Sequence, residues 1–478
     1  MKNIILILGL FISIGTFTSC DSFLDQAPDD RMTIKTLDDV DAVMAEAYDK
    51  RRTYCGLHFA TDDAGPTTGV NTSYPILNDI YSWKKEITDE THQDNPASFW
   101  RASYASIANS NLVLESIGKM SETEQNSQFA MALKAEALIT RAYHHFMLLN
   151  TFAKPYNATT ANTDKGIPYV IELEKKLIQD YERGTVESTY AKVIEDYEAG
   201  IQLMEKSLTS FNKNKYRVTI PTAYAIGGRI YLWRNKDQQD NEKSKTYAAK
   251  AIEAYGGVVM MRKWSEYKSD KRGIVDANQA EVGWIQNFAT WTPTNNIYQI
   301  TISTYNSIKE PSVLGKDQRD NGVRYTRDGD IYVPLSYFVY IDNQIANDLF
   351  PLSESLLNKI EAEVRLDDFV AAKADMNSFL SSNHDAPLDF TDQDLIDTYS
   401  TVGETPLTAK EAWIQFLLSE RRRQFHMKGM RWFDIHRYQI NIKHRLQDGT
   451  LLQLQEELPH FAFEIPQSAI NTGLPKNY

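Results

Sequence analysis

Cysteine is nearly absent from the chain: Cys20 and Cys55 are the only two in 478 residues, so no intramolecular disulfide framework holds the fold. Basic excess is also missing. Lys and Arg total 51 against 64 Asp and Glu, a formal net charge of −13, and no basic stripe offers phosphates a surface, which argues against nucleic acid as a partner. The catalytic signatures His-Glu-x-x-His, Gly-x-Ser-x-Gly, the Walker loop and Gly-x-Gly-x-x-Gly do not occur. Past the first twenty residues no apolar run is long enough to span a bilayer. The adjacent His144 and His145 cannot share one helix face, so they read as packed or exposed residues rather than as metal ligands. The adjacent acids Asp62-Asp63 and Asp89-Glu90 read as solvated loop residues rather than as a catalytic pair.

What is present begins with an export signal. Lys2 precedes the apolar run Ile4 to Ile12, and the small residues Thr16, Thr18 and Ser19 lead to Cys20. This order looks like a bacterial lipobox, with residues 1–19 as signal peptide and Cys20 as the lipidation site. Loss of the signal removes Lys2 and takes the formal net charge from −13 to −14. Asp21 to Asp30 is acidic and turn-rich, with Pro28 blocking a helix, and reads as a leash.

The body carries helical periodicity. Asn95-Pro96 opens a helix through Trp100, Tyr104, Ile107, Asn111 and Leu114. Ser121-Glu122-Thr123-Glu124 fits a capping box for a long helix through Phe129, Leu133, Ala137, His144 and Met147. A third helix runs from Val186 to Met204, and a fourth starts near Thr219-Pro221. The small residues Ala223, Ala225, Gly227 and Gly228 of the fourth match a small face in Asn241–Tyr255. Pro221 to Tyr255 is roughly one 34-residue tetratricopeptide unit. The pattern returns at Ser353–Arg365 and Leu366–Leu380, and Thr408 to Glu411 caps a last long helix. The fold class is therefore mostly α, with tetratricopeptide-like helix pairs forming an α-α superhelix. Arg421, Arg422 and Arg423, followed by Arg431-Trp432-Phe433-Asp434, read as guanidinium forks tying a helix terminus to neighbouring carboxylates and carbonyls. The stretches 55–98 and 256–345 lack that periodicity and are rich in Gly, Pro, Asn, Asp and aromatics, as functional loops are. Short strands are expected there in Glu281–Phe288 and Tyr298–Thr304.

Several stretches in order resemble the SusD/RagB family of outer-membrane nutrient-binding lipoproteins of Bacteroidota. They are Cys20 to Asp25, Phe99 to Asn111, Lys134 to Phe146, Arg217-Val218-Thr219, Ser353 to Ala362, and the closing Phe463 to Ile470 with Asn477-Tyr478. Met427-Lys428-Gly429 departs from the family's usual Phe-Glu-Gly, which alters one local ion pair. The resemblance implies a single domain, residues 20–478, in which helix pairs pack against a loop-rich ligand-binding half with few short strands. It also implies a surface lipoprotein held by outer-membrane lipid, non-catalytic binding of an oligosaccharide, and a SusC-like TonB-dependent transporter as partner. Peptide binding, or a lipid-anchored glycoside hydrolase, is the alternative.

Sugars are gripped by flat aromatic faces and by side chains that hydrogen-bond paired hydroxyls. The ligand-binding candidates are accordingly Tyr74, Asn78, Tyr81 and Trp83 in the first loop region and Trp291, Asn296, Tyr298 and Tyr325 in the second. Each ring could equally fasten a loop to the scaffold. No catalytic residue, cofactor or dedicated metal site is assigned, although loop carboxylates and carbonyls could hold a structural calcium ion.

Overall fold

Asn95 accepts the Ala97 N–H in its side chain and Pro96 fills the first helical position, so a helix starts where the sequence places it and runs Pro96–Gly118. The computed structural model describes residues 34–48, 54–66, 75–87, 89–92, 94–173, 180–263, 279–288, 298–301, 325–328, 331–334, 339–341, 344–384, 389–426 and 428–478. Leu37–Tyr478 form one compact unit. Cys20 and Arg51-Arg52 lie outside the described residues.

In chain order the helices are α1 (Leu37–Glu46), α2 (Pro75–Tyr81), α3 (Pro96–Gly118), the single turn α4 (Glu122–Gln125), α5 (Gln128–Phe152), α6 (Val186–Lys206), α7 (Ile220–Arg234), α8 (Gln238–Ala254), α9 (Leu352–Arg365), α10 (Phe369–Asn383), α11 (Asp392–Tyr399), α12 (Ala409–Gln424) and α13 (Met430–Tyr438). Two short ones, α14 (Leu454–Glu457) and α15 (Gln467–Ile470), follow. The body is mostly helical, as the periodicity requires. One start differs from expectation. The Ser121–Glu124 capping box forms, but it caps the single turn α4, and the long helix α5 begins again behind Ser127, whose side chain accepts the Ala130 N–H.

α5 is the central element: every residue from Ile139 to Phe152 is buried. A helix buried all round has no solvated stripe and must be enclosed by neighbours. It packs against α3 and α6; α7 packs on α8, α8 on α9, and α9 on α10, giving the expected succession of helix pairs. The two glycines of α7 serve different partners. A Cβ on Gly227 would lie 1.9 Å from the Tyr197 hydroxyl on α6, whereas one on Gly228 would meet Ala248 of α8 at an ordinary 3.4 Å. Ala248 thus supplies the small face expected opposite Gly228.

The strands are β1 (Gly65–Pro66), β2 (Ile285–Phe288), β3 (Tyr298–Thr301), β4 (Tyr325–Asp328), β5 (Ile331–Pro334), β6 (Val339–Ile341), β7 (Gln344–Asp348), β8 (Lys443–Arg445) and β9 (Leu451–Gln453). Among the described residues they make three small antiparallel sheets, ordered β1-β3-β5-β4, β2-β7-β6 and β8-β9. Both strands expected from alternation are present: β2 is shorter than expected, and β3 is described over Tyr298–Thr301, residues 302–304 lying outside the described residues.

Buried charge stitches these parts together. Arg421, fully buried, donates to Asp434 at 3.0 Å and to Asn358 Oδ1 at 2.9 Å. Arg422 donates through Nε to Asp63 at 2.5 Å and through Nη2 to the Asp62 carbonyl at 3.1 Å, and Arg423 pairs with Glu420. Glu361 on α9 accepts Arg365 at 2.5 Å, Arg437 at 2.8 Å and the Tyr438 hydroxyl at 2.7 Å. Burial alone would raise the Glu361 pKa, but Arg437 and Arg365 hold it far below the usual carboxylate range. The arginine-rich terminus is thus a device that holds α9, α12 and α13 together. Near it, Lys428 is buried and its charge acts on the equally buried Asp348, which burial pushes up to about 7.

Candidate functional site

The pair Asp62-Asp63 is not solvated. Asp62 takes Arg431 at 2.9 and 2.8 Å, and Asp63, with no exposed surface, takes Arg422. Burial would raise the Asp63 pKa, yet Arg422 and His426 override it and keep the carboxylate ionised. A neutralised carboxylate pair is a tether for the turn after the 3-10 helix Tyr54–Ala60, and it is unsuited to general acid-base work. His144 and His145 are both buried; His145 stacks on Tyr169 at 3.8 Å. Among the described residues no group of three or more His, Cys, Asp or Glu is arranged to hold a metal ion, and no helix is long and apolar enough to cross a membrane.

The ligand-binding candidates separate into four groups. Tyr74, Trp291 and Asn296 lie outside the described residues. Tyr298 and Tyr325 are placed by their backbones on β3 and β4, which flank β5. Tyr325 pairs with Pro334, and continuing the Ile300–Tyr332 register by two positions sets Tyr298 opposite the same Pro334. The two tyrosines therefore share one cross-strand row, about 10 Å apart across two strand spacings. Asn78 is exposed on α2.

Tyr81 and Trp83, the other two candidates, require a correction. They are 2% and 1% exposed and present no face to a ligand. Both rings stack on the His444 imidazole from β8, each with centroids 4.0 Å away and interplanar angles of 8° and 19°. The Trp83 indole N–H donates to the Ala60 carbonyl at 2.9 Å, and the Tyr81 hydroxyl donates to the Arg445 carbonyl at 3.2 Å. Trp83 also holds φ at 53°, a left-handed value that a bulky side chain adopts only when packing imposes it. These rings fasten the loop to the β8–β9 hairpin. Composition showed an aromatic loop but could not reveal that His444, more than 360 positions away, fills the space between its rings.

Directly after Trp83 the chain forms one wall of a groove of about 480 Å³. Residues 85–97 face residues 463–471 across it, with Ile87, Pro96, Ile465 and Pro466 supplying apolar surface. The polar lining includes Asp89, Glu90, Asn95, Gln467 and Asn471. Glu90 joins the two walls, its carboxylate accepting the Ser468 N–H at 3.2 Å. Asn95 is committed to its own wall, donating to the Asp89 carbonyl at 2.7 Å. Glu464 accepts the Asn477 N–H at 2.7 Å and the Tyr478 N–H at 3.1 Å, which explains why the closing residues are ordered against the body. The volume lies within the range of small-molecule sites. Phe463, the single aromatic among the described lining residues, is 2% exposed, so these residues offer carboxylates, amides and aliphatic walls rather than a ring platform. Sequence reasoning placed 85–97 in a functional loop but took Ile465-Pro466-Gln467-Ser468 only as a closing motif. Nothing local in either stretch signals that they meet.

Residues 22–232 match the model of a SusD-like family described as starch-binding and associating with the outer membrane. Over those residues the chain resembles that family. Three solved structures share its fold. A SusD superfamily protein from Bacteroides vulgatus is 18% identical, with a TM-score of 0.69 over 93% of this chain and 99% of that one. A SusD superfamily protein from Bacteroides thetaiotaomicron is 17% identical, with a TM-score of 0.66 over 93% and 100%. A SusD-like carbohydrate binding protein from Bacteroides vulgatus is 15% identical, with a TM-score of 0.64 over 91% and 96%. No curated protein matches the sequence. Residues that carry the resemblance hold the helices together: Arg141 bridges Asp196 and Asn111, and Glu136 receives both forks of Arg217 at 2.8 Å.

Proposed function

We propose that this SusD-like chain is a lipoprotein, anchored through Cys20 to the outer membrane and facing the exterior, that binds an oligosaccharide without altering it and passes it to a SusC-like TonB-dependent transporter. The observation that carries this reading is the match of residues 22–232 to a family described as starch-binding and outer-membrane-associated. The carbohydrate-binding description of a protein with the same fold supports it, as does the lack of a catalytic signature in the sequence. Ligand contact is assigned to Tyr298 and Tyr325 on one sheet row, to Asn78 on α2, and to Trp291, Asn296 and Tyr74. The groove between 85–97 and 463–471 is a second surface suited to hydroxyl-rich molecules.

The test uses the full chain without its signal, titrated calorimetrically with a panel of neutral and charged oligosaccharides beside a peptide pool. Binding of a glycan with unchanged reducing-end content supports the reading; peptide binding alone, or new reducing ends, overturns it. Trp291→Ala and Tyr298→Ala are expected to weaken binding at least about tenfold, as loss of a stacked ring costs more than 1 kcal/mol. Asn471→Ala reports on the groove in the same titration. Palmitate labelling of cells tests the anchor, and its persistence in Cys20→Ser would remove that part of the proposal.

A further inference from the structure

His444 sits in an arrangement that a neutral histidine cannot satisfy. It is 2% exposed, and its Nδ1 lies 2.7 Å from the Tyr81 carbonyl while its Nε2 lies 2.9 Å from the Thr61 carbonyl. Both neighbours are main-chain oxygens, which only accept. Neutral imidazole has one N–H and one lone pair, so one of the two contacts would set a lone pair against a carbonyl oxygen; the imidazolium donates to both. His145 shows the contrasting case in the same molecule. Its Nδ1 lies 2.9 Å from the Arg141 carbonyl, but its Nε2 accepts the Val170 N–H at 3.0 Å, so one neutral tautomer serves it completely.

The surroundings of His444 favour a cation in a second way. Tyr81 and Trp83 press their π faces on the two sides of the ring at 4.0 Å, an arrangement in which ring quadrupoles attract positive charge. The charged and titratable groups around it come from each packed element. The turn after the 3-10 helix brings Asp62, shared between Arg431 of α13 and Arg422 of α12, and Asp63, held by Arg422. α2 brings the Tyr81 phenol, whose hydroxyl is spent on the Arg445 carbonyl. β8 itself carries Lys443 and Arg445 on either side, both exposed.

We propose that His444 is a proton-operated latch. When it is protonated it bonds the Thr61 and Tyr81 carbonyls together and locks the β8–β9 hairpin between the 54–66 segment and the end of α2; when it is neutral it releases one of the two. The latch acts at the root of the groove, because Trp83, stacked on the same ring, is two residues from the wall that begins at Lys85. Burial pulls the His444 titration below the ordinary histidine value, against the two carbonyls and Asp62, so the latch works on the acid side of neutrality.

The decisive measurement is the ¹⁵N shift pair of the His444 ring in the full chain between pH 8 and pH 5, assigned by its loss in His444→Gln. Two N–H-type nitrogens appearing together as the pH falls, with a neutral single-N–H pattern above the midpoint, support the latch. A single neutral tautomer across the whole range overturns it. Hydrogen exchange gives a readout independent of the variant's folding: on acidification, and after correction for intrinsic rates, amides in 61–66 and 80–84 should slow by about fivefold through the same midpoint. Exchange in these segments that ignores the ring titration also overturns it.

Discussion

Arg229 on α7 grips Glu354 on α9 with both prongs, Nε at 2.7 Å and Nη2 at 2.5 Å, and neither side chain has more than 3% of its surface exposed. The guanidinium also lies 3.7 Å from the centroid of the Phe350 ring and donates to the Leu349 carbonyl. Breaking one partner leaves a desolvated charge behind, which costs about 3–5 kcal/mol. Glu354→Ala should therefore lower the urea midpoint strongly. A double replacement, Arg229→Met with Glu354→Leu, should recover most of the loss, since it leaves no charge stranded.

The α7 glycines give a contrast between neighbours. Gly227→Ala forces a methyl into the Tyr197 hydroxyl and ring, a clash that repacking relieves only at about 2–3 kcal/mol. Gly228→Ala, with its nearest atoms at van der Waals distance, should be neutral or slightly stabilising in the same denaturation series.

Trp83→Ala should cost about 3–5 kcal/mol, the range for a fully buried large ring. Ligand affinity measured well below its melting temperature should change less than in Trp291→Ala. Equal stability of Trp83→Ala and the unaltered protein would restore Trp83 as a surface ring.

Asp348 should make stability fall as the pH rises. Its folded pKa is pushed up to about 7 by burial, against help from Lys428 and the Gly283 and Phe350 amides, so between its ordinary value and 7 the folded state holds a proton that the unfolded state has lost. Unfolding free energy should drop across that interval. Asp348→Asn, which keeps an acceptor for both amides, should remove the drop and gain about 1 kcal/mol or more at pH 8, with little difference at pH 3.

Helix existence and several helix starts were legible in the sequence, because periodicity and caps are local: Asn95 and Thr408 cap where their side chains place them, whereas the caps Thr185 and Asp237 appear only in the structure. Ser121 misled because a capping box specifies a start but not a length. The arginine cluster was legible as a structural device, since three guanidiniums at a helix end need acceptors. The partners of Arg422 were not, because Asp62 and Asp63 lie some 360 positions away and only the closed fold brings them near. For the same reason Trp83 read as a candidate binding ring: burial by His444 leaves no mark within its own loop.

The ion pairs cross the boundary of the stretch that matches the family model. Asp62, Asp63 and Arg229 lie inside 22–232, while Arg431, Arg422 and Glu354 lie beyond it. A fragment cut after residue 232 would carry orphaned charges in what should be its interior, and should be recovered as aggregate. Supplied with the missing piece in trans, it should become soluble, each half acting as the other's counter-ion.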